Sequence, residues 1–210
     1  MRRLPVYILL DTSGSMRGEP IEAVKSGLRA MISSLNRDPY ALETVCLSII
    51  TFDREARVLV PLTEVSRFQI PEITPPETSP TNLGEALQLL CRQYDQEVEK
   101  STPEKKGDWL PLAFIMTDGS PSDSMPIRQM TEEVKRRKFG TIIACAAGPQ
   151  AKVDPLRGIT SQIVSLDTMD SNTFSKFWSW VSASVSGKSQ AVDGRSDSLP
   201  PPPSEIRLVL

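Results

Sequence analysis

Val6-Tyr7-Ile8-Leu9-Leu10 is an unbroken apolar run that stops at Asp11-Thr12-Ser13-Gly14-Ser15, a polar turn followed by Gly18. A short continuous apolar run reads as a strand buried on both faces, and its abrupt polar end marks where the chain leaves the sheet. After Pro20, which suits a first helical turn, Ile21, Val24, Leu28, Met31, Ile32 and Leu35 recur at helical spacing and predict a helix to about Asn36. A buried strand, a tight turn and an amphipathic helix in succession open an α/β unit.

The same alternation continues along the chain. Val45 to Phe52 and Arg57 to Leu62 read as a hairpin whose second strand lies at a sheet edge. Four prolines, Pro71, Pro75, Pro76 and Pro80, make Ile70 to Pro80 a loop that delivers Thr81 to a helix running from Asn82 to about Lys100. Leu110 to Met116 is a second buried strand, ending at Thr117-Asp118-Gly119. A helix at about Met125 to Lys138, strands at Thr141 to Ala147 and Gln162 to Leu166, and a helix at about Asn172 to Val185 follow. Strands alternating with such helices predict a three-layer, doubly wound α/β fold: a mostly parallel sheet with one antiparallel edge strand and helices on both faces. The composition then shifts to Ser, Gly, Asp and the run Pro200 to Pro203, which divides the chain into a domain over residues 1–185 and a Ser/Pro-rich flexible tail over 186–210. In that tail Ile206, Leu208 and Leu210 alternate with Arg207 and Val209. They can fray, or add as a strand to an exposed edge on this chain or on a partner.

With 210 residues, 39% hydrophobic and 24% charged, the chain can bury one sizeable core without disulfides or a structural metal. The net charge of -2 carries no footprint for nucleic acid or an acidic membrane, so Arg2-Arg3 and Lys135-Arg136-Arg137-Lys138 read as solvated faces. The absence of histidine excludes His-based triads, His general bases and His-containing zinc sites. Cys46, Cys91 and Cys145, odd in number and far apart, read as buried thiols in a reducing compartment. The N-terminal apolar run is too brief for a signal-peptide core, and no segment approaches the roughly 20 apolar residues that span a bilayer. The expectation is a cytoplasmic protein without membrane insertion.

Ligands of open parallel sheets collect beyond the carboxyl ends of the strands, and there the topology puts two acids, Asp11 and Asp118. Ser13 and Ser15 place two hydroxyls just after the first acid, and Thr81 enters from the proline-rich loop. Taken alone, Ser13 and Ser15 could equally cap the helix that follows. As a set, carboxylate and hydroxyl oxygens without nitrogen or sulfur suit a hard divalent cation; Mg²⁺ is the best match, with Mn²⁺ and Ca²⁺ as the other candidates. Two acids roughly neutralise such an ion and leave it electrophilic, able to accept a carboxylate from another molecule. Asp123 and Glu19, near the mouth in sequence, read as solvated acids.

Asp11-Thr-Ser13-Gly-Ser15, Thr81 within Pro80-Thr-Asn-Leu-Gly-Glu-Ala-Leu, and Asp118 within Met-Thr-Asp-Gly-Ser together resemble the metal-ion-dependent adhesion site (MIDAS) of von Willebrand factor A (VWA) domains. The resemblance spans about residues 4–185. It implies a Rossmann-like fold, with Ser13 and Ser15 as direct ligands, Thr81 as a direct or water-mediated ligand, and Asp11 and Asp118 acting largely through bound waters. Within the family, the phrases Asp-Pro-Tyr-Ala-Leu-Glu-Thr-Val, Lys-Gly-Asp-Trp and Phe-Trp-Ser-Trp-Val-Ser-Ala-Ser-Val are similar to those of bacterial tellurium-resistance proteins of the TerY type. That likeness implies a non-enzymatic intracellular adaptor in a stress or metal response, alongside a protein kinase and phosphatase.

Two further readings compete with or extend this one. Phe174, Phe177, Trp178, Val181 and Val185 form one helical stripe, a core face, whereas Trp180 falls off it. Trp180 is therefore either a partner-binding anchor or buried against a loop. The rival functional class is a Mg²⁺-dependent hydrolase or phosphotransferase with Asp11 as nucleophile. Against it, the position two residues on is Ser13, which cannot act as acid or base at useful pH, and no phosphate-binding Gly-Lys-Ser/Thr loop is present.

Overall fold

The computed structural model describes residues 2–190, 199–204 and 206–209. Seven strands form one sheet: β1 (Leu4–Asp11), β2 (Val45–Phe52), β3 (Ala56–Glu64), β4 (Leu112–Thr117), β5 (Thr141–Ala147), β6 (Ile163–Leu166) and β7 (Ile206–Val209), in the spatial order β3-β2-β1-β4-β5-β6-β7. β1, β2, β4, β5 and β6 run parallel, and β3 pairs antiparallel with β2 as the hairpin pattern predicts. β7 adds a second antiparallel strand at the opposite edge, with Ile206 opposite Leu166 and Val209 opposite Ile163.

Six helices cover the sheet: α1 (Glu19–Leu35), α2 (Pro39–Thr44), α3 (Leu83–Glu97), α4 (Ser124–Arg136), α5 (Asp154–Arg157) and α6 (Ser171–Gln190). Strand alternation sorts the core into two halves. Val6, Ile8 and Leu10 face α1, α2 and α6, while Tyr7 and Leu9 face α3, α4 and α5. α1 and α6 pack so closely that a β-carbon on Gly27 would stand 2.1 Å from the Trp178 ring, a contact only glycine permits. Cys46, Cys91 and Cys145 are buried free thiols, as their apolar surroundings predict. Among the described residues no helix is long and apolar enough to cross a membrane.

Two short helices lie beyond the sequence reading. In α2, Asp38 accepts hydrogen bonds from the Tyr40 and Ala41 amides, with Pro39 in the first turn. α5 is a single turn after Val153.

The boundary at residue 185 requires correction. It falls inside α6, which continues through Ser186-Gly187-Lys188 to Gln190 with Ser184, Lys188 and Ser189 buried. The far end of the supposed tail belongs to the sheet: Ile206 is 3% exposed and completes the α1–α6 core. Residues 191–198 and Leu210, also assigned to the tail, lie outside the described residues.

Candidate metal centre

β1 is the switch point of the sheet, with the chain winding outward to β2 on one side and to β4 on the other. The carboxyl ends of β1 and β4 therefore flank a crevice. Asp11 is the last residue of β1, and Asp118 follows the last residue of β4. Both are buried, Asp11 completely.

Local bonding orients each group. Asp11 Oδ1 accepts the Ser13 amide at 2.8 Å, which folds the turn back over the strand end, and Oδ2 accepts the Thr117 hydroxyl at 2.6 Å. With both oxygens so engaged, Asp11 sets the position of its neighbours. Ser13 Oγ lies 3.2 Å from Ser15 Oγ, and Ser15 donates to Asp118 Oδ1 at 3.0 Å. Ser13, Ser15 and Asp118 thus share one hydrogen-bonded chain of oxygens, tied to Asp11 through the Ser13 amide and open to solvent at the exposed Ser15.

Thr81 approaches this group beside Gly119, the neighbour of Asp118, where a β-carbon would stand 3.3 Å from the Thr81 hydroxyl. The segment carrying it is braced on four sides. A β-carbon on Gly14 would lie 2.9 Å from the Glu77 carbonyl, so glycine is what lets the proline-rich loop sit on the acidic turn. The buried Lys25 ammonium holds Glu72 of the same loop against α1. The Asn82 amide donates to the Asp53 carbonyl at 2.9 Å, and the Arg54 amide donates to Ser79 Oγ at 3.0 Å. The Ser122 amide donates to the Thr81 carbonyl at 2.8 Å, and Asp123 Oδ2 accepts from the Gly84 amide at 2.7 Å at the start of α3.

Asp123 thus belongs to the helix start rather than to the oxygen cluster. Thr117, which orients Asp11, reads in the sequence as one more strand residue; its place between Met116 and Asp118 was the available signal. Of the two readings of Trp180, the structure shows burial against a later segment of the chain. Trp180 is 4% exposed, packed beside Phe177, and its indole N–H donates to the Pro200 carbonyl at 2.8 Å, so the chain's own proline run covers it.

The electrostatics fit a cation. Burial pushes the Asp11 carboxyl up to about 6, against the hydrogen bonds from Ser13 and Thr117 that stabilise the carboxylate. Burial raises Asp118 as well, opposed by the Ser15 hydroxyl. Neither acid has a lysine or arginine among the groups that shift it. Two desolvated carboxylates without a counter-cation, beside hydroxyl oxygens and no nitrogen or sulfur, make a donor set suited to Mg²⁺, Mn²⁺ or Ca²⁺. Among the described residues no three His, Cys, Asp or Glu side chains converge elsewhere as a metal cage.

Known proteins agree with this architecture. Residues 6–176 match the model of the von Willebrand factor type A domain. A Synechocystis protein of uncharacterized function is 41% identical over 61 residues, which is 28% of this chain and 13% of that protein. Proximal thread matrix protein 1 from the mussel byssus, solved with zinc in its MIDAS motif, superposes with a TM-score of 0.67 at 14% identity, covering 87% of this chain and 48% of that one. A von Willebrand factor type A protein from Catenulispora acidiphila gives a TM-score of 0.60 at 17% identity, covering 89% and 43%. The chain therefore spans about half or less of the length of these relatives. At such identities the superpositions speak for the fold. The family match over most of the sequence, on a seven-stranded sheet with the acidic turn at its switch point, makes the chain a member of the von Willebrand factor type A domain family.

Proposed function

We propose that this chain is a metal-dependent protein-binding adaptor. Ser13, Ser15 and Thr81 would hold a divalent cation, Mg²⁺ by preference, with Asp11 and Asp118 supplying the charge. The bound ion offers a Lewis-acidic position that an Asp or Glu carboxylate of a partner protein can claim. The observation that carries this reading is the oxygen chain Ser13–Ser15–Asp118, solvent-open at Ser15 and backed by two carboxylates that lack a counter-cation. A site with so little negative charge leaves the ion short of electron density, which favours an acidic group from outside. The zinc-loaded MIDAS of the mussel thread protein supports the choice of a dication.

The similarity to TerY-type tellurium-resistance proteins extends the proposal to a cytoplasmic stress-response complex with a kinase or phosphatase as partner. The three free thiols suit a reducing compartment. The adaptor role is preferred over hydrolysis or phosphotransfer because Asp11 is fully enclosed and both its oxygens are engaged, so a nucleophile there has no approach to substrate.

Affinity capture from native cell extract, with Mg²⁺ and with chelator, tests the reading. The unchanged chain should retain partners only in Mg²⁺, and Ser13→Ala should retain none in either condition. Capture indifferent to chelator and to Ser13→Ala would refute it. Phosphatase turnover that disappears in Asp11→Asn would instead favour the enzyme.

A further inference from the structure

A second recognition surface lies at the β6 edge, away from the metal centre. Residues 199–204 and 206–209 have features of a bound peptide rather than of a domain's own framework. The segment enters as a proline run, Pro200 to Pro203, whose first carbonyl accepts the Trp180 indole N–H at 2.8 Å. An aromatic residue donating to a carbonyl of an extended proline segment is the way proline-rich peptides are held. The chain then turns, the Ile206 amide donating to the Pro203 carbonyl at 2.9 Å, and adds as an antiparallel strand to β6. Ile206 inserts most deeply into the core, with Leu199 and Val209 partly buried at its margins, while Arg207 reaches Asp167 at 2.8 Å and Leu208 stays 50% exposed. Strand addition with alternate side chains reading pockets is a common mode of peptide capture.

The fit is incomplete. Between Trp180, Val164, Gln162 and the prolines remains a cleft of about 430 Å³. Gln162 Oε1, buried on its wall, has no hydrogen-bond partner among the described residues.

We infer that the groove between Trp180 and the β6 edge is a peptide-binding site in which residues 199–204 and 206–209 sit as a resident ligand. The outside occupant it fits is a partner segment of the same chemistry: prolines, then a strand that places an apolar side chain inward and a basic one beside Asp167. The resident segment is tethered, so its effective concentration is high and a free competitor is held off. Loosening the resident should therefore open the site.

A fluorescent peptide carrying the sequence of residues 199–210, titrated against full-length chains by anisotropy, tests this. Ile206→Asp should bind it at least tenfold more tightly than the unchanged chain, and adding Trp180→Phe should remove that gain. Arg207→Glu, an exposed substitution that leaves the core intact, should raise affinity about threefold. If Ile206→Asp does not fold unaided, the peptide at millimolar concentration should restore its cooperative melting. A folded Ile206→Asp chain that ignores the peptide, or an unfolded one that the peptide does not rescue, overturns the inference. Dimers of the unchanged chain that exchange tails would overturn the outside-partner assignment in favour of a second copy.

Discussion

The carboxyl end of the sheet and its β6–β7 edge are assembled by opposite means. At the first, polar side chains from three separated segments converge, and glycines at 14 and 119 keep space for them. The Thr81 amide and carbonyl and the Asn82 amide are each committed to a brace. At the second, backbone pairing and one inserted isoleucine hold a short strand, with proline carbonyls in place of a network. The first arrangement stores desolvation: Asp11 and Asp118 are kept charged only at a cost, which a bound cation offsets. The second stores little, because its one charged contact, Arg207–Asp167, is solvent-exposed and can separate without burying a charge. Function at the metal face should therefore depend strongly on ions and pH, and function at the edge only weakly.

The sharpest way to break that contrast is Asp118→Ala. It removes half of the site's formal charge and the acceptor of the Ser15 hydroxyl, so calorimetry should record a loss of at least about 100-fold in Mg²⁺ affinity. The metal-free chain should melt no lower than before, since a buried, uncompensated carboxyl has been deleted. A lower melting point would make Asp118 a structural residue instead.

Proton linkage gives a smaller effect. Asp11 is raised from 3.8 to about 6 in the folded, metal-free chain, so folding favours its protonated form. The stability this contributes is complete below 3.8 and lost as pH rises through about 6. Cation binding needs the carboxylate and runs the other way. Between pH 7 and pH 5, Mg²⁺ affinity should fall about tenfold, while the metal-free chain becomes more stable. Affinity that is flat over this range would place the proton elsewhere.

The smallest effect probes independence. Arg207→Glu breaks an exposed ion pair at the β7 edge and should cost less than about 1 kcal/mol in urea unfolding. Mg²⁺ affinity should stay within about twofold, because no residue is shared between the two regions. A larger change in metal affinity would mean that the edge and the centre communicate.

The same contrast governs what could be read from the chain. Asp11-Thr12-Ser13-Gly14-Ser15 is legible because strand end, acid and hydroxyls are contiguous, and the turn is made by its own residues. Thr81 belongs to a separate segment, but the four prolines before it mark the loop that carries it to the same end of the sheet. Its braces were not legible: Lys25–Glu72 and Ser122–Thr81 join residues about forty or more positions apart without any local pattern. For Trp180 the choice between partner anchor and burial against a loop stayed open for the same reason. Helical spacing tells which residues lie off the core stripe, but a segment twenty residues later decides whether they are exposed. The end of α6 was lost because Ser186-Gly187-Lys188 has a linker's composition, although the helix continues to Gln190, whose side-chain amide donates to Asp38 ahead of α2.

Manganese offers the most direct test of the central claim, because it reports both occupancy and the water that remains on the ion. Titrating Mn²⁺ into the metal-free chain should give one bound ion per chain by electron paramagnetic resonance, with enhanced water-proton relaxation that falls when a partner's acidic peptide is added. In Asp118→Ala the bound signal should vanish. A chain that takes up no Mn²⁺, or one whose bound ion shows no exchangeable water, would contradict the account of a cation left open for a partner's carboxylate.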